Sequence, residues 1–304
     1  MRIILFTDTH FGTRNNSMTW FRSQSSFIYE QLIPYIKQYH DVLLIHLGDV
    51  FDSRSSINPM IAHEVRKMFS ELRSLVDRFI IIPGNHDYYS EQTNVYCTPK
   101  LLLDGLGIEI IEEITEFLPE MIAVPWHDQK SGLPKKGIIF THTDLTQIWP
   151  SNIIFSGHIH TPDIRGNRRN LGSCFPLDFN DTNQERYFYE WNPETDNLIA
   201  IPNKKSIRFW TFTDVDDIDV KKEDYIRIKI QSNKLSDPDI NTKLQQIKKE
   251  YKNCTIIPIR EELSKTEINL DWNMTEIIEH NIPDQYKSQF EELKRIVEPT
   301  HTRP

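Results

Sequence analysis

Short apolar runs in the first half of the chain each end in polar side chains that can bind metal or transfer protons. The runs are rich in β-branched residues and stop at polar or turn-forming positions, which predicts buried strands that end in turns. They cover residues 3–7, 42–47, 79–82, 138–141 and 153–156. The polar side chains that follow them are Asp8, His10, Asp49, Asp52, Asn85, His86, Asp87, His142, His158 and His160.

Helical periodicity separates the first three runs. One apolar stripe covers residues 20–39, and a second predicted helix over 59–75 has Pro59 in its first turn, after the potential cap Asn58. This alternation predicts parallel strands with right-handed crossovers. Later strands lack intervening helices, so we expect antiparallel or mixed pairing in a second sheet; they are predicted at 108–111, 121–124, 137–141, 152–156, 169–172, 186–191 and 198–201. The predicted fold class is α/β, a four-layer α/β/β/α sandwich.

The strand ends are expected to face one crevice, because ligands of open α/β sheets bind outside the carboxyl ends of the strands. Carboxylate, imidazole and amide groups suit divalent ions such as Mn, Fe, Zn or Mg, and no cysteine stands at these turns. A minimum set of two Asp, one Asn and four His exceeds what one ion needs. It fits two ions that share a bridging carboxylate, and metal pairs about 3.5–4 Å apart recur in enzymes that hydrolyse phosphate esters.

The order and spacing of these residues resemble a known family signature. The motifs are similar, in order, to those of calcineurin-like metallophosphoesterases: Asp8-x-His10, Gly48-Asp49-x-x-Asp52, Gly84-Asn85-His86-Asp87, His142 and Gly157-His158-x-His160. The single residue between His10 and Gly12 resembles the SbcD branch, the nuclease subunits of double-strand-break repair complexes. The length of the chain and its C-terminal layout are similar to phage members of that branch.

The resemblance implies a role for each motif residue. One ion is expected to bind Asp8, His10, Asp49 and His160, and the other Asn85, His142 and His158, with Asp49 bridging the two. Mn is the expected metal, with Mg, Fe or Zn as alternatives. The expected catalytic residues are His86, Asp52 and Asp87. His86 would protonate the leaving alkoxide or stabilise the phosphate, and Asp87 would orient His86 or its turn. Asp52, where some relatives carry His, is expected to orient His86 or another ligand, and not to act as a general acid.

Six arginines are predicted to contact DNA phosphates by their position. Arg14, Arg22 and Arg54 stand beside the metal turns, and Arg165, Arg168 and Arg169 follow the last ligand. The formal net charge of -9 works against an extended DNA surface, because affinity for phosphates comes mainly from Lys and Arg. Any DNA groove must therefore be local, rely on bound metal ions, or be completed by a partner.

Three domains are predicted: a nuclease core at 1–203, a capping domain at 204–262, and a linker with a C-terminal helix at 263–304. The β-β-α-β pattern after residue 206 resembles the capping domain that SbcD-like proteins place over the DNA groove; an extension that shields the sheet edge is the alternative. The resemblance implies that residues 274–298 bind an SMC-like ATPase of the SbcC type, although packing on its own domain is equally compatible. It also implies a homodimer through helices near 59–76 and 98–106.

Composition and cysteine usage suit a reduced, unexported protein. Hydrophobic residues make up 38% and charged residues 26% of the chain, and the three cysteines include no CxxC pair. No signal-like opening and no run of about 18 apolar residues is present, so we expect a cytoplasmic protein without membrane contact, in a bacterium or a phage-infected host. The predicted function is a Mn-dependent DNA nuclease, with duplex exonuclease and single-strand endonuclease action, in a recombination and repair complex. A phosphatase or phosphodiesterase with a non-DNA substrate is the alternative; a scaffold without metals is disfavoured because every expected ligand is present.

Overall fold

The computed structural model describes residues 1–90, 93–146, 150–216 and 218–259, together with Lys287 and Phe290. The strands in this part of the chain are β1 Arg2–Phe6, β2 Val42–His46, β3 Arg78–Ile81, β4 Tyr88–Ser90, β5 Thr93–Cys97, β6 Glu109–Ile110, β7 Thr115–Leu118, β8 Met121–Val124, β9 Ile138–Thr141, β10 Ile154–Ser156, β11 Asp163–Arg165, β12 Arg168–Asn170, β13 Tyr187–Asn192, β14 Asn197–Pro202, β15 Phe209–Phe212, β16 Tyr225–Gln231 and β17 Cys254–Ile259. The longer helices are α1 Met18–Phe27, α2 Pro59–Ser74, α3 Thr98–Leu103 and α4 Pro238–Glu250. Helix α1 continues through a π-helical segment, Ile28–Leu32, into a short helical turn, Ile33–Ile36.

The first sheet has the strand order β14-β13-β1-β2-β3-β6. Strands β1, β2, β3 and β6 run parallel, as the alternation of strands and helices predicts, and β13 pairs antiparallel with β1. Every residue of β2 is buried, because helices cover one face of this sheet and the second sheet covers the other. The carboxyl ends of β1, β2 and β3 therefore meet at one edge.

The second sheet has the order β11-β12-β10-β9-β8-β7 and is mixed, as predicted. Its four inner strands are parallel, and β7 and β11 join antiparallel at the two edges. The expectation that all later strands lie in this sheet is wrong for β6, β13 and β14. Strand β6 pairs parallel with β3, and β13 and β14 complete the first sheet through pairs such as Ile3 with Trp191. Periodicity identifies a strand, but its partner depends on contacts between residues far apart in sequence.

The apolar core lies in layers around the two sheets. Residues of both sheets, such as Leu5, Ile45, Phe140 and Phe155, meet between them. Helices α1 and α2 cover the outer face of the first sheet, where α2 buries residues such as Val65 and Phe69. The α/β sandwich is thus confirmed. The outer face of the second sheet is covered differently from the prediction, since the part of the chain described there carries a short 3-10 turn, Trp126–Ser131, and loops in place of an α-helix.

A small three-stranded sheet, β15-β16-β17, packs against α4 through an apolar cluster that includes Ile226, Ile228 and Leu244. This is the predicted β-β-α-β succession. An aromatic cluster joins it to α1, where the ring of Trp20 stacks on Phe209 at 5.8 Å and Phe209 lies 5.0 Å from Tyr225. The chain divides into two compact units, Met1–Pro258 and Ile259–Pro304, so the predicted core and cap share one unit almost completely.

The predicted domain boundaries stay predictions. The linker and ATPase-binding helix predicted at 263–304 lie outside the described residues, apart from Lys287 and Phe290. Among the described helices, none combines the length and the apolar character that a bilayer crossing needs.

Candidate metal centre

Four of the predicted ligands occupy strained backbone positions directly after strands. Asp8, His10, Asp49 and His158 have φ angles of 52°, 44°, 55° and 77°, in the left-handed region that residues other than glycine rarely adopt. Such conformations persist only where the surroundings impose them, and they concentrate at functional sites. The turns after β1, β2 and β10 therefore hold their polar side chains at defined places on the sheet edge.

The first predicted ligand group converges as the sequence implies. His10 Nε2 lies 3.8 Å from Asp8 Oδ1 and 3.7 Å from Asp49 Oδ2. His160 Nε2 approaches the same Asp8 oxygen to 3.7 Å. These distances exceed those of hydrogen bonds, so the four side chains surround a common space without closing it.

The second group meets the first at Asp49. The Asp49 Oδ2 atom is 3.2 Å from His142 Nε2, and Asn85 Oδ1 is 3.2 Å from His142 Nε2 and 3.0 Å from His158 Nδ1. Asp49 thus lies within 3.7 Å of a histidine from each group. The structure brings all seven predicted ligands together, and the Asp49 carboxylate lies between the two groups.

The donor set fits divalent metal ions. Ligand atoms about 2.1 Å from one ion lie about 3.0–4.2 Å from one another, depending on the angle between them. The separations of 3.2–3.8 Å at Asp8, His10, Asp49, His142 and His160 fall in this range. In addition, both ring nitrogens of His10 are buried without a hydrogen-bond partner, which is rare for buried polar atoms. A bound cation would supply the missing partner.

The pKa values of the buried ligands show how strongly the metal-free site attracts positive charge. Burial opposes ionisation of Asp8, but the charge of His142 and the neighbouring His10 imidazole outweigh it and lower the Asp8 pKa to about 2. Burial also opposes protonation of His10 and His142, yet the surrounding carboxylates raise the pKa of His10 to about 10 and that of His142 to about 9. Protons therefore occupy the nitrogens that a metal ion would take, and metal binding should release them.

Asp87 holds the site through the backbone. It is fully buried and accepts hydrogen bonds from the N–H groups of Asp49, Val50 and Gly84 at 2.8–2.9 Å. Burial and the negative charge of Asp49 raise the Asp87 pKa to about 7. This geometry agrees with the part of the prediction in which Asp87 orients its turn, and it extends that role to the turn after β2.

Asp52 contacts two histidines of the site. Its carbonyl oxygen lies 2.6 Å from His86 Nδ1, so Nδ1 must carry a proton and donate it, because a carbonyl only accepts. Its carboxylate oxygen Oδ1 lies 3.4 Å from His10 Nδ1. The His86 backbone N–H donates to Asp49 Oδ1 at 2.8 Å. Asp52 is thus placed to orient both imidazoles, in line with its predicted role.

Two residues that position the ligands are absent from the sequence-based predictions. His46 Nδ1 accepts the N–H of Gly48 at 3.1 Å, so its Nε2–H donates to Thr9 Oγ1 at 3.0 Å. Gln24 on α1 donates to the carbonyls of Thr9 and His10. The available signal was a polar side chain in an otherwise apolar strand or helix face.

Two glycines permit the close approach of the turns. A Cβ atom on Gly84 would collide with Asp49 Oδ1, and one on Gly157 would collide with Thr7 Oγ1 and with Asp8 Oδ2, the latter at 2.7 Å. Each collision involves a ligand carboxylate or its immediate neighbour. The absence of a side chain at these positions therefore sets the spacing of the ligands.

The predicted DNA-contacting arginines lie in different surroundings. Arg14 donates to the Leu177 carbonyl at 2.6 Å and lies over the aromatic cluster around Phe209. Arg22 lines a cavity of about 650 Å³ between α1 and the small sheet, together with four lysines, Lys205, Lys221, Lys222 and Lys252. Half-buried Arg54 lines an apolar groove beside β5, and exposed Arg165 pairs with Asp163. The DNA contacts predicted for these four arginines stay predictions.

Arg168 and Arg169 contradict the prediction that they contact DNA. They are 3% and 6% exposed. Arg168 donates to Asp163 at 2.7 Å and to backbone carbonyls, and Arg169 donates to Asp196 at 2.6 Å with its guanidinium over the Phe155 ring. Their charges are neutralised inside the fold, so they are not part of a phosphate-binding surface.

Comparison with known families agrees with this geometry. Residues 1–184 match the model of the calcineurin-like phosphoesterase family. This match covers more than half of the chain, so the protein belongs to that family, whose members bind divalent metals and hydrolyse phosphoesters.

Within the family, the chain is similar to nucleases. It is 24% identical over 235 residues to exonuclease subunit 1 of Enterobacteria phage T4. This match covers 67% of this chain and 68% of the phage protein. It is 28% identical over 108 residues to the DNA double-strand break repair protein Mre11 of Saccharolobus solfataricus, and 30% identical over 121 residues to that of Sulfolobus acidocaldarius. These matches cover 36% and 38% of this chain but only 28% and 29% of the archaeal proteins.

Proposed function

We propose that this protein is a two-metal DNA nuclease of the SbcD branch, with Mn as the working metal. The observation that carries the proposal is the position of Asp49, whose carboxylate faces histidines of both ligand groups at 3.7 and 3.2 Å. A carboxylate shared between two ions is the device expected of a phosphodiesterase with paired metals. The nuclease names of the phage and archaeal relatives support DNA as the substrate.

The chain's own residues account for positioning and proton transfer. When bound, two ions would supply an activated water nucleophile near neutral pH and polarise the phosphoryl oxygens. Asp8 and Asp49 would hold the ions, and Asp87 fixes the backbone that carries Asp49. His86 keeps its Nδ1 proton on the Asp52 carbonyl, so Nε2 is the nitrogen that can protonate the leaving oxygen or contact the phosphate.

The decisive experiment compares nuclease activity of wild type and His86→Ala on end-labelled linear duplex DNA, with Mn or with EDTA. We expect digestion that requires Mn and is lost in the variant, because the proton donor is removed while the ligands stay. His40→Ala removes an exposed histidine away from the site and serves as the matched control. Intact DNA together with hydrolysis of an aryl phosphate would favour the phosphatase alternative.

The mode of action and the ATPase partner are also proposals. We propose exonuclease action on duplex ends and endonuclease action on single strands or hairpins, in a recombination and repair complex with an SMC-like ATPase bound by residues 274–298. Deletion of residues 274–304 should abolish co-purification of the ATPase and leave Mn-dependent nuclease activity unchanged. Loss of the folded core on deletion would contradict this assignment.

The homodimer proposed through residues 59–76 and 98–106 is supported by exposed apolar side chains. Leu101 on α3 is 80% exposed, and Tyr89 and Tyr96 of the neighbouring hairpin are 60% and 68% exposed. Such patches mark interaction surfaces. Light scattering at micromolar concentration should give a dimer mass for wild type and a monomer mass for Leu101→Asp. Ile164→Asp, at an exposed apolar position on β11, is the control. A monomeric wild type would contradict the proposal.

A further inference from the structure

Trp126 forms part of the rim of the metal centre. It directly follows Pro125 after β8, and its backbone N–H donates to the Pro83 carbonyl at 3.1 Å. This bond ties Trp126 to the turn that carries Asn85 and His86. The indole ring centre lies 4.8 Å from the His158 ring and 6.3 Å from the His142 ring. An aromatic side chain therefore stands beside two of the proposed metal ligands.

The indole N–H of Trp126 differs from those of the other tryptophans in the described residues. Each of those donates to a side-chain oxygen: Trp20 to Tyr225 at 3.3 Å, Trp191 to Asp196 at 2.9 Å and Trp210 to Asp224 at 2.8 Å. Trp126 makes no such bond in the described part of the chain, and its half-buried Nε1 is not among the buried polar atoms that lack a partner there. Its polar edge is thus available to a ligand.

The packing of the Trp126 ring also indicates that this side chain is available to a ligand. Trp20 and Trp191 lie in apolar clusters, whereas half-buried Trp126 belongs to none of the clusters formed by the described residues. The tilt of 43° between the Trp126 and His158 rings means that the histidine covers only part of one indole face. Part of the indole therefore remains accessible beside a site made of charged and polar groups.

We propose that Trp126 stacks on the nucleobase next to the phosphodiester bond cleaved at the metal centre, an inference that rests on the proposed nuclease function. A base offers a flat π-face to the indole, and base–aromatic stacking is tolerant of sequence. The phosphate and sugar oxygens beside a stacked base lie nearer the plane of the indole and can accept from its N–H. A paired base inside a duplex has both faces covered by its neighbours. The stacked nucleotide is therefore unpaired, as at a frayed end, a hairpin loop or a single strand.

The test removes the base and the side chain separately and together. A single abasic site is moved stepwise through the nucleotides around the cleaved bond of a single-stranded substrate. Binding is measured in EDTA and cleavage in Mn, for wild type, Trp126→Leu and Trp126→Phe. At one position, wild type should lose about fivefold to a hundredfold in affinity, the range of one stacked base. At that position the abasic site should cause no loss of affinity in Trp126→Leu, because the stacking partner is already absent. In Trp126→Phe it should cause most of the loss seen in wild type.

Two controls keep the inference falsifiable. Trp210→Phe changes a tryptophan outside the metal centre and should respond to the abasic site as wild type does. Mn affinity measured by titration calorimetry should be the same for wild type and Trp126→Leu. A marked loss of Mn affinity in Trp126→Leu would mean that the ring only supports His158, and it would overturn the proposal.

The outcomes for stacking and for the proposed function can be told apart. Equal abasic penalties in wild type and Trp126→Leu at every position, with Mn-dependent cleavage intact, would overturn the stacking role and leave the nuclease function standing. Absence of DNA cleavage by wild type under all conditions would overturn the nuclease function, and the stacking role with it. Quenching of a 2-aminopurine base at the coupled position in wild type, and its loss in Trp126→Leu, would confirm direct stacking.

Discussion

Charged groups are buried both at the metal centre and around Arg168, Arg169 and Arg186, but the two regions neutralise them differently. Each of these arginines donates directly to a carboxylate, with contacts of 2.7 Å to Asp163 and 2.6 Å to Asp196 and a short contact to Asp181. At the metal centre, histidine nitrogens and carboxylate oxygens stay 3.2–3.8 Å apart.

The difference in spacing separates structural charge from functional charge. Direct ion pairs close the space between their partners and leave no position for a ligand. The separated groups of the metal centre leave room for cations, and three of the residues that carry them, Asp8, His10 and Asp49, have left-handed backbone conformations. Buried charge alone is therefore a poor guide to function, whereas buried charge held at ligand spacing is informative.

The largest expected effect comes from Asp49→Asn, which tests the metal side of this comparison. Because both ions would lose a shared ligand, we expect activity to fall by several orders of magnitude. The asparagine can still accept the His86 N–H, so the metal-free protein should remain folded. Kinetics with saturating Mn and a thermal melt in EDTA would check both parts. A variant with near wild-type activity would contradict the bridging role.

Arg186→Met tests the region in which buried arginines pair directly with carboxylates. The Arg186 side chain is 0% exposed, and its removal would leave the Asp181 carboxylate buried with only the backbone N–H groups of Leu177 and Asp178 as partners. We expect the free energy of unfolding in urea to fall by about 3–5 kcal/mol, the usual effect of breaking a buried ion pair.

Activity per folded Arg186→Met molecule should stay close to that of wild type, since neither Arg186 nor Asp181 belongs to the ligand groups. The double variant Arg186→Met with Asp181→Asn should recover part of the stability, because it removes the unpaired charge. No recovery in the double variant would indicate that packing, and not the ion pair, accounts for the loss.

His46 makes the stability of the metal centre depend on pH. Burial lowers the His46 pKa to about 3, while an unfolded histidine titrates near 6.5. The unfolded chain therefore binds the extra proton as pH falls below about 6.5, and folding loses up to about 1.4 kcal/mol per pH unit.

His46→Gln should remove this contribution. We expect urea unfolding in EDTA at pH 6.5 and 5.0 to show a smaller loss of stability in the variant than in wild type. Identical slopes in the two proteins would mean that His46 is not the group responsible.

The smallest effect is expected for Arg165→Met, the exposed counterpart of Arg186→Met. The Arg165 side chain is 64% exposed, so its contact of 2.8 Å with Asp163 is screened by water. Exposed ion pairs typically contribute less than about 1 kcal/mol. Urea unfolding should give a difference within that limit, and a loss comparable to that of Arg186→Met would remove the distinction between buried and exposed pairs.

Much of the metal centre could be predicted because its information is local. Each ligand directly follows a strand, and the parallel order of β1, β2 and β3 brings those ends to one edge. The supporting contacts were harder to predict. Gln24 and His46 act on backbone atoms of other segments, and a sequence pattern does not show which backbone atoms lie opposite a side chain.

The same limit explains the wrong predictions. Arg168 and Arg169 follow a turn and carry charge, which locally indicates a surface. Arg169 is buried because Asp196, 27 residues further along the chain, closes over it. Likewise, β13 joins the first sheet because its register with β1 fits, and the alternation of residues within β13 does not encode that partner.

Gly84 and Gly157 have a consequence for how this protein tolerates change over generations. Neither glycine takes part in the chemistry, yet a single methyl group at either one would strike the side chains that surround the ion positions. In a library of all single substitutions selected for activity, both positions should therefore be as depleted of variants as Asp49. Purifying selection would then mark as indispensable two residues whose contribution is the space that they leave empty.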